Sequence, residues 1–329
     1  MDKLIGLDEK DRKILVELDK DARQTDSEIA KKVGISKQVV NYRIQKLMEK
    51  GTINNFYTVV NVGKLGLNSH YVFIQLEKIN KEKERVLIEK LNNLDYIGWI
   101  VSGTGRWDLV LLVYADSISG FDKSLNEIVN ICGGHLHEYN FSTLISAEHL
   151  KYKFLGETRE VSNVKQGEKQ KSVRLNGEDI KILNEISQNA RENVVKIAEK
   201  AKLSPHIVSY HLKSLRKEGI IEGFKPKLDI NKLGLQWHLL LIQFQSSEES
   251  QKKAFIEFCK QHKKLYYVTN TLGTYNLMLD VHVSNTAEFK EVLFDLKEKF
   301  ADLIKNYESI IIFEEYKIDY FPENLISKN

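Results

Sequence analysis

The sequence has few cysteines and no long apolar segment. Cys132 and Cys259 are the only two cysteines among 329 residues, and both lie in apolar helical or strand-edge contexts. We therefore expect a reducing compartment, the cytoplasm, and no structural disulfide. No apolar run approaches membrane-spanning length, and the charged N-terminus lacks the apolar region of a signal peptide. These absences predict a cytoplasmic protein that does not associate with a membrane.

The residue patterns of common catalytic and metal sites are also missing. No Ser/His/Asp, Cys/His or phosphate-loop arrangement occurs in the chain. His135 and His137 alternate along a predicted strand, but no third ligand lies close by in the sequence, so a metal site is not expected. We predict no catalytic residue, no cofactor and no metal.

The charge of the chain is nearly balanced, so any basic surface must be local. The formal net charge is +3, and 42% of the residues are hydrophobic, as expected for globular domains. The segment from Ser36 to Lys50 carries four basic residues and one acidic residue, a local sum of +3. A modest patch on a near-neutral chain fits a reader of specific DNA sequences better than a protein that coats DNA. The length predicts more than one domain.

The segment Ser36–Lys50, SKQVVNYRIQKLMEK, is predicted to form one helix. Ser36 suits the N-cap, because its hydroxyl can accept hydrogen bonds from free amides of the first turn. Val40, Ile44 and Leu47 recur at helical spacing and share one buried stripe. The opposite face carries amide and aromatic side chains, namely Gln38, Asn41, Tyr42 and Gln45. Asn and Gln can bond adenine edges in a DNA groove, and the alternative is an ordinary solvated amphipathic helix.

Two helices are predicted before this segment. The first spans Leu7 to Leu18, and the second begins near Thr25 and ends at Gly34, which suits a left-handed C-terminal cap. A helix, a short glycine turn and a helix with a polar outer face are typical of a helix-turn-helix. Gly51 stops the third helix, and the segment Ile53–Val60 is predicted to be the wing strand.

The following segment has the βαββαβ order of a ferredoxin-like domain. Strands are predicted at residues 70–76, 97–103, 108–115 and about 137–145, and helices at Lys81–Asn92 and about Ser119–Ile131. The third strand, DLVLLVYA, is apolar on both faces. Since the two helices cover one face of such a sheet, the other face needs a second cover, most simply another sheet.

Residues 156–174 lack apolar periodicity and are interpreted as a linker, after which the chain repeats. Leu7 corresponds to Leu175, an offset of 168 residues, and the register persists to Tyr139 and Tyr307. Other matched pairs are Asp11 and Asp179, Tyr42 and Tyr210, Gly51 and Gly219, Gly105 and Gly273, and Phe121 and Phe289. The predicted α+β fold places winged helix-turn-helix domains at residues 1–61 and 175–230 and ferredoxin-like domains at residues 66–154 and 234–322.

Several stretches of the repeat resemble the Lrp/AsnC family of prokaryotic transcription regulators. They are LDEKDRKIL, IAKKVGISKQVVNYRIQKLMEKGTI, the GKLG step into the ferredoxin-like domain, and the turn GTGRWD at residues 103–108. The resemblance implies a winged helix-turn-helix that binds DNA and an effector domain that dimerises through its sheet. It also implies that small molecules, often amino acids, bind between effector domains. The expected function is sequence-specific regulation of transcription.

The outer helix faces and the resemblance together imply which residues contact DNA and which contact a ligand. The DNA-contacting set is Ser36, Lys37, Gln38, Asn41, Tyr42, Arg43, Gln45, Lys46, Ser204, Pro205, His206, Ser209, Tyr210, His211 and Lys213. Lys37 and Lys46 suit phosphate contacts, whereas Arg43 is either structural, phosphate-facing or a reader. The ligand-binding set is Gly103, Gly105, Trp107 and Asp108. Glycines and an Asp between two strands also suit a plain hairpin turn.

This chain departs from the family pattern because it carries both units. Most members carry one unit and dimerise between chains. Covalent linkage keeps two apolar sheets at high local concentration, so we predict an intrachain pseudo-dimer and leave higher homo-oligomers open. Three family-typical residues change in the second copy, with Arg43 becoming His211, Gly103 becoming Thr271 and Asp108 becoming Asn276. Ligand binding is therefore expected in the first unit before the second.

Two alternatives remain open. Proteins of very similar architecture act as sirohaem decarboxylases, in which histidines of the effector-domain strands and turn are the catalytic residues. The corresponding segments, Tyr96–Asp108 and Lys264–Asn276, contain no histidine, which disfavours an enzyme. The other alternative is an architectural DNA-binding protein without an effector. The expected partners are double-stranded DNA and a small effector such as an amino acid.

Overall fold

Two similar α+β units follow one another along the chain, as the repeat predicts. The computed structural model describes residues 4–156, 164–166, 172–245 and 248–326, with the backbone alone for 164–166. Within these ranges no helix is both long and apolar enough to cross a bilayer.

The helices and strands of the two units occur in the same order. The first unit has the helices α1 (Glu9–Lys20), α2 (Asp26–Val33), α3 (Lys37–Glu49), α4 (Lys81–Asn92) and α5 (Ile118–Cys132), and the strands β1 (Ile53–Val60), β2 (Asn68–Leu76), β3 (Ile97–Thr104), β4 (Leu109–Ala115) and β5 (Leu136–His149). A short strand, β6 (Val164–Gln166), follows. The second unit has the helices α6 (Gly177–Ser187), α7 (Val194–Ala201), α8 (Pro205–Lys217), α9 (Glu249–Gln261), α10 (Thr286–Phe300) and α11 (Glu323–Ile326), and the strands β7 (Ile221–Leu228), β8 (Gln236–Phe244), β9 (Leu265–Gly273), β10 (Leu277–Val283) and β11 (Ile304–Ile318).

Side-chain caps decide where the first three helices begin. Asp8, Thr25 and Ser36 are the N-caps of α1, α2 and α3, and each accepts a hydrogen bond from a backbone amide of the first turn. The first helix starts after Asp8 rather than at the predicted Leu7, because Asp8 and Asp11 form a capping box there. The predicted cap of the third helix, Ser36, is present in the structure.

The strands of both ferredoxin-like regions form one closed barrel. Around the barrel the order is β2, β4, β3, β11, β8, β10, β9 and β5, and β5 pairs back with β2. β5 pairs with β2 as far as Thr143, and from Ser142 onward it pairs with β9 of the second unit. β11 pairs with β8 as far as Ile312, and from Ile311 onward with β3 of the first unit. The end of one long strand of each unit therefore pairs with a strand of the other unit.

This arrangement supplies the second cover that the apolar β4 requires. Leu111 lies in one core with side chains of α4 and α5. Leu112, on the other face, lies in the barrel interior in the same core as Leu239 of the second unit. Both faces of the strand are buried because helices cover one and the opposite barrel wall covers the other.

The segment predicted as a wing forms β1, but its partner is β7 of the other unit rather than a hairpin strand of its own. The pairing joins the two helix-turn-helix regions through a two-stranded antiparallel ribbon. Two equivalent arginines reinforce it, since Arg23 donates to the carbonyl oxygen of Ala190 at 2.6 Å and Arg191 donates to that of Ala22 at 2.5 Å. Pairing across units satisfies backbone groups that a lone strand would leave exposed.

The predicted linker, residues 156–174, lies largely outside the described residues. Within it, β6 pairs with the end of β5, with Val164 opposite His149 and Gln166 opposite Ala147. This part of the segment therefore forms a strand, which the absence of apolar periodicity did not predict.

Candidate nucleic-acid interface

The third helix presents a polar outer face and buries the predicted apolar stripe. Val40, Ile44 and Leu47 are buried, with at most 3% of each residue exposed. On this helix and its cap, the exposed residues of the predicted DNA-contacting set are Ser36, Lys37, Gln38, Asn41, Tyr42, Gln45 and Lys46. They share one face because positions three and four apart are neighbours on a helix. The face can therefore meet a DNA groove without any rearrangement of the core.

Two contacts organise this face. Asn41 donates from its amide to Asp26 of α2 at 3.0 Å, which fixes the direction of the side chain. Tyr42 is 63% exposed, and Lys46 Nζ lies 5.8 Å from the centre of its ring. A cation over an aromatic face holds both side chains outward from the helix.

The eighth helix presents the equivalent face with different chemistry. Ser204 caps it, and Pro205 occupies the first helical turn, where a missing amide hydrogen costs nothing. Tyr210 is 65% exposed, close to its counterpart in α3. Ser209 is half-buried, and its hydroxyl donates to the Pro205 carbonyl at 2.9 Å. His206 and Lys213 complete the exposed set on this helix.

Arg43 and His211 of the predicted DNA-contacting set both contact carboxylates of their own unit. Arg43 pairs with Asp8 at 2.6 Å and with Asp11 at 2.7 Å. His211 is buried, and its ring nitrogens lie 2.7 Å from Asp179 and 2.9 Å from Glu178. Each side chain ties its recognition helix to the first helix of the same unit. Both ion pairs of Arg43 use Nη1, so its other guanidinium donors are not engaged by them. A DNA contact by Arg43 or His211 stays a prediction.

The end of the second recognition helix is tied to the first unit. Lys64 donates to the carbonyl oxygen of Glu218, the C-terminal cap of α8, at 2.5 Å. The amide of Asn61 donates to Glu222 at 3.0 Å. Together with the β1–β7 ribbon, these bonds set the position of one recognition helix relative to the other.

The four residues predicted to bind a ligand make contacts within the protein. A Cβ on Gly103 or Gly105 would collide with backbone carbonyl oxygens of β11, so glycine allows the strand to approach. Trp107 is fully buried, and its indole nitrogen donates to the hydroxyl of Tyr275 at 2.7 Å. These two aromatics are equivalent residues of the two units. Ligand binding at this turn stays a prediction.

Asp108 and its counterpart Asn276 accept equivalent hydrogen bonds. Asp108 Oδ2 accepts from the amide of Leu76 at 2.7 Å, and Asn276 Oδ1 accepts from the amide of Phe244 at 2.7 Å. The exchange of Asp for Asn keeps the acceptor oxygen, so it does not weaken the turn in the second unit.

A polar cluster inside the barrel is the main feature that sequence reasoning missed. Asp280 and His282 are buried on β10. Their counterparts at the 168-residue offset are Leu112 and Tyr114 of β4. The repeat could have indicated this cluster, because an ionisable residue here replaces an apolar or aromatic residue of the other copy. Burying an ionisable group costs folding free energy, so such a group usually has a role.

Comparison with known proteins agrees with the helix-turn-helix geometry. A family model described as winged helix-turn-helix DNA-binding matches residues 7–54 and again 175–222. The chain is 30% identical to the transcriptional regulator LrpA of Pyrococcus horikoshii, over 38% of this chain and 93% of LrpA. It is 34% identical to the transcriptional regulator Ptr1 of Methanocaldococcus jannaschii, over 39% of this chain and 87% of Ptr1.

A solved structure matches the complete two-unit arrangement. The siroheme decarboxylase NirDL has a TM-score of 0.61 over 97% of this chain and 96% of its own, at 16% identity. At that identity the likeness shows the fold alone. The relatives that match one unit in sequence are named as transcriptional regulators. From the duplicated DNA-binding match and these relatives, the chain belongs to the Lrp/AsnC family and is a DNA-binding transcriptional regulator.

Proposed function

We propose that a single chain acts as an intrachain pseudo-dimer and reads one asymmetric DNA site. The observation that carries this proposal is the exchange of strand ends, in which β5 pairs with β9 and β11 pairs with β3. The two helix-turn-helix regions are further joined by the β1–β7 ribbon. An ordinary homodimer presents two identical helices and favours a palindromic operator. This chain presents two different helices instead.

The outer faces of α3 and α8 differ at the positions best placed to meet bases. Gln38, Asn41 and Gln45 correspond to His206, Ser209 and Lys213. Amide side chains can bond adenine bidentately, whereas serine and lysine cannot. The preferred site then has two different half-sites, about one helical turn apart or a multiple of it.

In vitro selection from random duplexes tests this proposal. The unaltered chain should select a non-palindromic motif. Asn41→Ala should relax sequence preference in one half-site, and His206→Ala should relax it in the other. A strictly palindromic motif, or halves that respond together to either change, would overturn the pseudo-dimer proposal. Measurement of the mass in solution beside the selection distinguishes a single chain from a pair of chains.

Phosphate contacts are proposed for Lys37 and Lys46. Their removal should weaken binding to all sequences alike and reduce the slope of affinity against salt, because fewer counterions are then released. Lys90, which is exposed on α4 of the ferredoxin-like region, is a matched control. Lys90→Ala should leave affinity and slope unchanged. If the Lys37 and Lys46 changes altered sequence preference instead, the assignment to phosphate would be wrong.

We also propose that a small effector, such as an amino acid, binds at the turn that contains Gly103 and Asp108. This proposal rests on the family resemblance of the turn, because its present contacts are with the protein itself. A ligand that binds only the folded chain raises the melting temperature. Thermal shift across a panel of amino acids tests it, with Asp108→Ala compared with Asn276→Ala. A shift lost only in Asn276→Ala would place the ligand in the second unit.

A further inference from the structure

The barrel encloses a cavity where it meets the β1–β7 ribbon. The cavity has a volume of about 60 Å³, enough for a few water molecules or a molecule of a few non-hydrogen atoms. Aromatic rings form much of its wall, including Trp99 and Trp237, whose ring centres lie 6.1 Å apart. Tyr57 of β1 lines it from the ribbon side. The cavity therefore lies between the barrel and the helix-turn-helix regions.

Two carboxylates line this cavity, each bonded to an indole. Trp237 Nε1 donates to Asp280 at 2.6 Å, and Trp99 Nε1 donates to Glu315 at 2.6 Å. Glu315 also has a cation, since Lys227 Nζ lies 3.3 Å from its second oxygen. Among the described residues no basic side chain pairs with Asp280. The wall thus carries one carboxyl group whose only charge partner would come from outside the protein.

Two buried histidines line the same cavity with free ring nitrogens. Neither ring nitrogen of His149 has a hydrogen-bond partner among the described residues, and Nδ1 of His282 has none. These residues are 3% exposed each. Burial lowers the pKa of His149 well below its ordinary value and lowers that of His282 to about 3, so both rings are neutral and each has one acceptor nitrogen. Buried polar atoms are normally satisfied. Here the acceptor nitrogen of His149 lacks a donor, its N–H lacks an acceptor, and Nδ1 of His282 lacks a partner.

The polar groups occur on one side of the pseudo-symmetric barrel. The counterparts of Asp280 and Thr269 at the 168-residue offset are Leu112 and Val101, which are apolar. Burial raises the pKa of Asp280 to about 7, although the bond from Trp237 opposes this shift. Keeping a carboxyl group in such surroundings costs folding free energy, which a bound cation would offset.

We infer that this cavity binds a small organic cation, a primary alkylammonium of a few non-hydrogen atoms. An ammonium group can donate to Asp280 and to a histidine nitrogen at once. Its charge is also favoured by the faces of the surrounding tryptophan and tyrosine rings. A cavity of this size excludes large cofactors. Binding requires neither DNA nor the turn at residues 103–108.

Calorimetric titration of the full chain with methylammonium, ethylammonium and propylammonium tests the inference. Methanol, ethanol and propanol serve as neutral probes of matching size. At least one ammonium ion should bind saturably, and the matching alcohol should not. The fluorescence of Trp99 and Trp237 gives a second readout at the site, since the remaining tryptophan, Trp107, lies outside the cavity lining.

Two variants of the cavity wall separate charge from shape. Asp280→Asn keeps the oxygen that accepts from Trp237 and removes the charge, so ammonium binding should weaken by about tenfold or more. Thr269→Val copies the first unit and carries no charge change, so binding should stay within about twofold. Circular dichroism confirms that both variants fold.

Several results would overturn the inference. If no ammonium ion bound to the unaltered chain, the cavity would hold only water. Equal binding of the alcohols, or undiminished binding in Asp280→Asn, would show that the charge of Asp280 is not used. An equal loss in Thr269→Val would mean that any change of the wall abolishes binding, which contradicts a site based on charge.

Discussion

A buried ion pair between the two units allows their packing to be tested directly. Lys225 of β7 and Asp19 of α1 have side chains that are 1% and 4% exposed. Lys225 Nζ lies 3.0 Å from Asp19 Oδ1 and donates to the Asp19 carbonyl at 2.7 Å. The second carboxylate oxygen accepts from the amide of Tyr152 at 2.9 Å. The pair forms only if the second unit packs against the first helix of the chain.

We expect Lys225→Met to destabilise the chain by about 3–5 kcal/mol. Methionine keeps most of the side-chain volume but leaves the Asp19 carboxylate buried with a single donor, and a buried charge that loses its partner costs about that much. This is a large fraction of the roughly 5–15 kcal/mol that stabilises a typical domain. Asp19→Asn should cost less, because Lys225 keeps two oxygen acceptors. The double variant should be more stable than the sum of the two single changes predicts.

The assay is equilibrium unfolding in urea, followed by tryptophan fluorescence and by far-ultraviolet circular dichroism. Lys13→Met is the matched control, because Lys13 lies on the same helix as Asp19 and pairs with Glu9 at the surface, where its side chain is 51% exposed. That variant should change the free energy of unfolding by less than about 1 kcal/mol. If Lys225→Met also changed the free energy of unfolding by less than about 1 kcal/mol, the reasoning would be refuted, because the pair would then not be buried between the units.

Three further predictions follow from single contacts. The pKa of Asp280 rises from 3.8 to about 7 on folding, so Asp280 destabilises the folded chain increasingly as pH rises from about 4 to 7. In urea unfolding at pH 8, Asp280→Asn should therefore raise the free energy of unfolding by up to about 4 kcal/mol relative to the unaltered chain. Gly105→Ala should lower the melting temperature, since φ is +149° and a Cβ would meet the carbonyl of Ser309. Arg43→Ala should weaken binding to specific and random duplexes by the same factor in gel-shift titrations, because Arg43 positions its helix through Asp8 and Asp11.

The sequence by itself determined the order of the helices and strands in each of the two repeated units, but not the short strand β6. The helix predicted at Lys81–Asn92 has those bounds in the structure, and Ser36 caps the third helix as predicted. The α+β fold class and the family assignment are confirmed. These features depend on interactions between residues close in sequence, such as caps, glycine conformations and apolar periodicity, or on the repeat itself. The structure does not test the predicted DNA and ligand contacts, which stay predictions.

Only the tertiary structure decided which strands pair and which polar side chains are satisfied. Alternation shows that both faces of β4 are apolar, but it cannot identify the strand that covers the second face. The pairing of β1 with β7 joins residues more than 160 positions apart, as Ile53 and Leu228 show. The ion pairs of Arg43 with Asp8 and Asp11 join residues more than 30 positions apart, so the sequence did not identify them. The cavity around Asp280 exists because the units interlock, since contacts between distant residues form only when the chain closes on itself.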